Sequence, residues 1–115
     1  MPPLYHVTKR YQSAYPDPLR LARGDRVTIL PRTSEWPGWL WCRDANGKTG
    51  WAPEAFLSRT DNEARLSRDY DAVELSVEAG ETIRPVLELA GWVWGTDDRR
   101  KTGWIPRDHL EIPNP

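Results

Sequence analysis

The sequence predicts an all-β protein made of two small tandem domains, and an internal repeat is the main reason. The segment GWLWCRDANGKTGWAP, Gly38 to Pro53, returns as GWVWGTDDRRKTGWIP, Gly91 to Pro106, fifty-three positions later and without a gap. The two copies hold six of the seven tryptophans. A repeat of about half the length of a 115-residue chain indicates two structural units.

The first copy reads as short strands separated by turns. Weak alternation of apolar and polar residues from Leu4 to Tyr11 predicts a half-buried strand. Two prolines and an aspartate in the segment from Gln12 to Pro18 predict an irregular loop. The Gly24-Asp25 turn precedes a β-branched strand from Arg26 to Leu30.

The repeated segment itself predicts a β-hairpin. Asn46-Gly47 is the strongest short turn signal in the chain, and strand-like residues flank it on both sides. Alternation along the first strand of this hairpin places Trp39 and Trp41 on one face and Leu40 and Cys42 on the other.

The second copy has the same order of elements with shorter loops. Its opening strand is predicted at Leu66 to Tyr70, and its first loop is three residues shorter than that of the first copy. Length changes confined to loops are typical of a preserved β-framework. The segment between the copies, Ser58 to Arg65, is predicted as a short linker, and the Thr60 and Glu63 spacing leaves a helical turn as an alternative.

Composition excludes several classes of function. The formal charge of −1 argues against general binding to nucleic acid or membrane surfaces. The lone Cys42 forms no internal disulfide, and no Cys or His spacing predicts a metal site or a cofactor. His6 and His109 have no neighbouring nucleophile and no second histidine at ligand spacing, and no catalytic constellation can be assembled, so an enzyme is not predicted. The absence of a signal-peptide pattern predicts a cytoplasmic protein, unless a leader precedes the chain given.

Five motifs, present twice and in register, resemble the SH3 domain pattern. In the first copy the matching residues are Val7 to Tyr11, Leu19-x-Leu21-x-x-Gly24-Asp25, Gly38-Trp39, Thr49-Gly50-Trp51-Ala52-Pro53 and Phe56-Leu57. In the second copy they are Leu66 to Tyr70, Leu75-x-Val77-x-x-Gly80-Glu81, Gly91-Trp92, Gly103-Trp104-Ile105-Pro106 and Leu110. The resemblance covers nearly the whole chain and looks closest to the divergent SH3 domains of small bacterial proteins.

The resemblance implies two tandem five-stranded SH3-like barrels, residues 4–59 and residues 64–112. It also implies that each barrel binds an extended or proline-containing peptide on an aromatic groove. Carried over onto this sequence, the grooves consist of Tyr11, Trp39, Pro53 and Phe56 in the first copy and of Tyr70, Trp92, Pro106 and His109 in the second.

Three replacements depart from the family pattern and argue against a standard PxxP ligand. Lys9 and Arg68 stand where the family has the first tyrosine of its opening motif, and His109 replaces the closing tyrosine. The first loops also carry few carboxylates for pairing with a ligand arginine. These are Asp17, Asp71 and Glu74.

The other repeated tryptophans leave two interpretations open. Trp41 and Trp94, with their cross-strand neighbours Trp51 and Trp104, could widen the binding platform or be buried between the two domains. A non-catalytic peptide-binding module is the leading hypothesis. The alternatives are peptidoglycan recognition and a structural scaffold whose aromatic faces are buried between the domains. The oligomeric state stays open.

Overall fold

The computed structural model describes residues 3–32 and 36–113, and these residues form the all-β structure that the sequence predicts. The strands are β1 Tyr5–Val7, β2 Arg20–Leu21, β3 Arg26–Ile29, β4 Trp39–Arg43, β5 Thr49–Pro53, β6 Leu57–Thr60, β7 Glu63–Leu66, β8 Tyr70–Asp71, β9 Thr82–Leu89, β10 Trp92–Thr96, β11 Thr102–Pro106 and β12 Leu110–Glu111. Two single-turn 3-10 helices follow β5 and β11, at Glu54–Phe56 and Arg107–His109.

The strands form two five-stranded antiparallel sheets, which confirms the expected pair of five-stranded domains. One sheet has the order β11-β10-β9-β1-β12, the other has the order β5-β4-β3-β7-β6, and β2 pairs with β8 in a separate ribbon. Each five-stranded sheet contains one copy of the tryptophan hairpin, β4-β5 or β10-β11.

The compact units do not coincide with the sequence repeats, because the two opening strands are exchanged. Unit 1 consists of Met1–Pro16 and Val73–Pro115, and unit 2 is Asp17–Ala72. Strand β1, from the first repeat, pairs with β9 and β12 of the second repeat. Strand β7, from the second repeat, pairs with β3 and β6 of the first. The sequence alone predicts that each repeat keeps its own opening strand.

The short loop of the second repeat gives a physical reason for the exchange. In unit 1 Tyr11 bridges to Val77, and in unit 2 the equivalent Tyr70 pairs with Leu21. Suppose that the second repeat kept its own opening strand, so that Tyr70 paired with Val77 in the way that Tyr11 does in the structure. The two paired segments would then be joined by a turn of only two residues, Val73 and Glu74. Two-residue hairpin turns require a positive φ, which a β-branched residue strongly disfavours. Neither residue has a positive φ in the structure.

The segment predicted as a linker, or alternatively as a helical turn, is a β-hairpin. Strands β6 and β7 pair from Leu57↔Leu66 to Thr60↔Glu63, and they leave Asp61 and Asn62 as the turn. Asp61 has a φ of 55°, a conformation that Asp and Asn tolerate better than most residues. Unit 2 is therefore one continuous stretch of chain, inserted into unit 1 between Pro16 and Val73.

The core of unit 1 depends directly on the exchanged strand. Its buried cluster is Tyr5, Val7, Leu75, Val77, Ile83, Val93, Ile105 and Leu110. The first two of these residues lie on β1 and come from the first repeat. The predicted core face of the tryptophan strands is confirmed in part, since Cys42 and Val93 are fully buried but Leu40 is half-buried.

Both tryptophan hairpins form, and an aspartate organises the turn of each. The first turn runs from Asp44 to Lys48, longer than the two-residue turn that Asn46-Gly47 predicts. Asp44 Oδ1 accepts hydrogen bonds from the amides of Asn46 and Lys48, both at 2.9 Å, and Gly47 has a φ of 86°. Asp97 repeats the arrangement with the amides of Arg99 and Lys101.

Candidate functional site

Unit 1 brings three aromatic side chains together beside its tryptophan hairpin. Tyr11 packs edge-to-face against Trp92, with ring centroids 5.7 Å apart, and against His109 at 5.5 Å. Pro106 lies opposite Trp92 in the β10-β11 register. Four of the predicted groove residues therefore form one cluster, which we call the unit 1 groove: Tyr11, Trp92, Pro106 and His109.

Polar contacts hold the rings of the unit 1 groove in place. The Tyr11 hydroxyl donates a 2.7 Å hydrogen bond to Glu74, and the same carboxylate accepts from the amide of Ala14 at 3.0 Å. Burial and this carboxylate raise the pKa of Tyr11 above its usual range, so the hydroxyl stays a donor at all physiological pH. Nδ1 of His109 lies 3.2 Å from the Lys9 carbonyl oxygen, which it reaches as a donor.

Unit 2 gathers the equivalent residues Trp39, Pro53, Phe56 and Tyr70. Trp39 lies opposite Pro53 in the β4-β5 register, and Phe56 packs edge-to-face on Tyr70 at 5.9 Å. The Tyr70 hydroxyl donates a 2.8 Å hydrogen bond to the carbonyl oxygen of Trp51. These contacts attach the exchanged residue Tyr70 to the hairpin of the first repeat.

The strand exchange changes which predicted residues share a groove. The sequence analysis groups Tyr11 with Trp39, and Tyr70 with Trp92, because each pair lies in one repeat. In the structure Tyr11 contacts Trp92 and Tyr70 contacts Phe56. Each of the eight residues expected at the grooves lies in one of the two clusters, but each cluster combines residues from both repeats.

The two tryptophans expected to face a ligand are buried. Trp39 is 7% exposed and Trp92 is 9% exposed, which corrects the expectation that both indoles point outward. In the unit 1 groove Tyr11 and His109 remain half-buried, whereas all four residues of the unit 2 cluster are buried. The unit 1 groove therefore keeps accessible aromatic surface that the unit 2 cluster lacks.

The remaining repeated tryptophans form one cross-strand pair in each unit. The centroids of Trp41 and Trp51 are 5.0 Å apart, and those of Trp94 and Trp104 are 5.3 Å apart. Trp104 is buried at 4% exposure, and the other three are half-buried. Each pair joins the two strands of its own hairpin, and the proposed role of these residues, between the domains or in a wider binding platform, stays a prediction.

A contact that the sequence analysis missed involves Arg32. Its guanidinium carbon lies 4.0 Å from the Trp41 ring centroid and 5.3 Å from that of Trp51. Arg68, noted from sequence only as a replacement for a family tyrosine, lies 4.4 Å over the Phe56 ring. Sequence spacing contains no signal for the first contact, because Arg32 lies outside the strands and only the folded chain brings it to the hairpin.

The loop carboxylates that the sequence analysis singled out all have partners within their own unit. Asp17 pairs with Lys48 at 2.8 Å, Asp71 pairs with Arg20 at 3.4 Å, and Glu74 accepts from Tyr11. Among residues 3–32 and 36–113 no group of three or more His, Cys, Asp or Glu side chains could hold a metal ion. In the same residues no helix has the length and apolar character of a membrane span.

Comparison with known proteins agrees with the repeat and the fold. A family model described as variant SH3 domain matches residues 4–59 and 63–112. The chain is 26% identical over 130 aligned positions to the SH2/SH3 adapter protein dreadlocks of Drosophila melanogaster, and the alignment covers 94% of this chain and 23% of that protein. The chain thus spans about a quarter of the length of this relative. No solved structure matches significantly.

Proposed function

Since the chain belongs to the variant SH3 domain family, we propose that it is a non-catalytic module that binds an extended or proline-containing segment of another protein. Family membership and an adapter-type relative support a role in protein interaction in general. The finer proposal is that the unit 1 groove is the peptide-binding surface, with Tyr11, Trp92, Pro106 and His109 as its contacts.

The observation that carries this proposal is the edge-to-face assembly of Tyr11 with Trp92 and His109. Two half-exposed rings flank a largely buried indole and a proline, which together make a rigid and shallow apolar surface. Such a surface stacks well against the rings of a polyproline II segment, whose conformation is already extended before it binds. The bond from Tyr11 to Glu74 fixes one wall of this surface.

The proposal is tested by titrating the full chain with a library of proline-rich peptides while following tryptophan fluorescence. We expect saturable changes in emission, and we expect His109→Ala to weaken binding by about 1 to 2 kcal/mol, as for an aromatic interface contact. Val86→Ala is the matched control, since Val86 is 67% exposed on β9 of the same unit. Unchanged emission across the library would rule the groove out as a proline-peptide site.

The burial of Trp39 favours a second candidate for unit 2, a structural role for its aromatic cluster. All four residues of this cluster are buried, so their rings already contribute to the stability of the folded unit. If unit 2 is a scaffold in this sense, Phe56→Leu lowers the stability of unit 2 and leaves peptide binding at the unit 1 groove intact. Loss of peptide affinity with unchanged stability would instead assign the cluster to binding.

A further inference from the structure

Two exposed arginines of unit 2 lie over aromatic rings. Arg32 lies over the Trp41 and Trp51 pair, and Arg68 lies over Phe56. A guanidinium placed on a ring in this way is held by its face. Its N–H donors, which project from the edge of the plane, stay available for a further partner.

Neither arginine has an anionic partner within the described part of the chain. No ion pair or hydrogen bond involves either guanidinium among residues 3–32 and 36–113. Stacking on an aromatic ring does not by itself leave an arginine without an ionic partner. In unit 1 Arg107 lies 4.6 Å over the Tyr5 ring, and it also pairs with Glu88 at 2.8 Å and donates to the Leu110 carbonyl oxygen. The two stacked arginines of unit 2 therefore differ from Arg107 in having no carboxylate partner among the described residues.

Contacts through Tyr70 connect Phe56 with the backbone of Trp51. Tyr70 donates its hydroxyl hydrogen bond to the backbone of Trp51, and its ring packs on Phe56. This chain of contacts joins the support of one guanidinium to the support of the other within unit 2. We call the resulting region the arginine-capped surface: Arg32 over Trp41 and Trp51, and Arg68 over the buried ring of Phe56.

We propose that the arginine-capped surface binds an extended acidic peptide segment, with one carboxylate side chain at each guanidinium. The planar fork of donors on arginine matches the two oxygens of a carboxylate, and a guanidinium held by stacking loses less conformational freedom when the pair forms. Two carboxylates of the same unit, Asp17 and Asp71, already pair with Lys48 and Arg20. The site is separate from the unit 1 groove and takes a ligand of different chemistry.

The test compares two short extended peptides on the full chain by isothermal titration calorimetry. In one peptide Glu alternates with Val, and in the other Gln replaces every Glu. We expect the acidic peptide to bind at least about tenfold more tightly, since hydrogen bonds to charged groups contribute about 1.5 to 3 kcal/mol. Equal affinity of the two peptides would overturn the proposal.

Matched variants separate this site from general charge attraction. Arg32→Gln and Arg68→Gln should each weaken acidic-peptide binding about tenfold. Arg26→Gln should not, although it removes the same charge from an exposed strand position of unit 2. Arg32→Lys keeps the charge but loses the planar fork, so it should also weaken binding. Equal losses in all four variants would show a non-specific effect and contradict the proposal.

One further variant separates this inference from the proposed function of unit 1. We expect His109→Ala to leave acidic-peptide affinity unchanged while it weakens proline-peptide binding. A loss of acidic-peptide affinity in His109→Ala would place the acidic site at the unit 1 groove and overturn the assignment to unit 2.

Discussion

Tyr11 lies edge-on to Trp92, with ring centroids 5.7 Å apart, although the two residues come from different sequence repeats. The same exchange brings Tyr70 of the second repeat against Phe56 of the first. Each aromatic cluster is therefore shared by the two repeats. Four predictions follow, and the first two test this sharing directly.

A double-mutant cycle between Tyr11 and Trp92 should reveal direct coupling. Edge-to-face aromatic pairs contribute about 0.5 to 1.5 kcal/mol beyond their burial, so Tyr11→Leu and Trp92→Leu should be non-additive by about that amount in the free energy of unfolding. The corresponding cycle of Tyr11 with Trp39 is the control, since the ring contacts of Tyr11 are with Trp92 and His109. Coupling in the control cycle alone would mean that each repeat folds with its own strand.

Excised fragments should follow the compact units rather than the repeats. A fragment of residues 17–72 contains every strand of one five-stranded sheet, and we expect cooperative unfolding from it in urea. A fragment of residues 1–60 lacks β7 and should remain unfolded, because the exposed backbone of β3 and β6 would lose its partner strand. Circular dichroism across the urea titration distinguishes the two. A folded 1–60 fragment together with an unfolded 17–72 fragment would contradict the exchange.

Arg100→Gly should stabilise unit 1. Arg100 has a φ of 65° at the turn position where the first hairpin has Gly47, and a left-handed conformation costs a residue with a side chain about 1 kcal/mol. The substitution should raise the free energy of unfolding by about 0.5 to 1 kcal/mol. The reciprocal change Gly47→Arg should lower it by a similar amount. Chemical denaturation of both variants measures the two effects, and a destabilising Arg100→Gly would show that the arginine side chain has a compensating contact.

The Cys42 thiol should make the protein less stable at alkaline pH. Burial raises its pKa from 9.0 to about 11, so between these values the folded state holds a proton that the unfolded state has released. The contribution of the thiol to the free energy of unfolding is thus fully present below pH 9, and it falls as the pH rises towards 11. Cys42→Ala removes this dependence, and its free energy of unfolding should fall less between pH 8 and pH 11. Parallel curves for the two proteins would contradict the prediction.

The repeat, the strand-rich character and the turn signals were readable because they depend on local sequence. Trp39 and Trp41 alternate with Leu40 and Cys42 in a two-residue period, which predicts the burial of Cys42 but not that of Trp39. The Asp61-Asn62 turn is equally local, although the position between the repeats predicts a linker and the Thr60 and Glu63 spacing leaves a helical turn as the alternative. Asp and Asn tolerate a positive φ better than most residues, and this pair is the sequence signal that could have predicted the turn.

The sequence by itself determined that this chain is a duplicated all-β protein of the SH3 type, and it determined which residue types line the aromatic clusters. Only the tertiary structure decided that Tyr11 joins Trp92, that Arg32 lies on Trp41, and that Trp39 is buried. The physical reason is that the opening strands share one alternation, with Tyr5 and Val7 buried on β1 and Ala64 and Leu66 buried on β7, so the period assigns neither strand to a sheet. Their choice depends on loop geometry and on contacts between residues far apart in the chain, which strand periodicity does not encode.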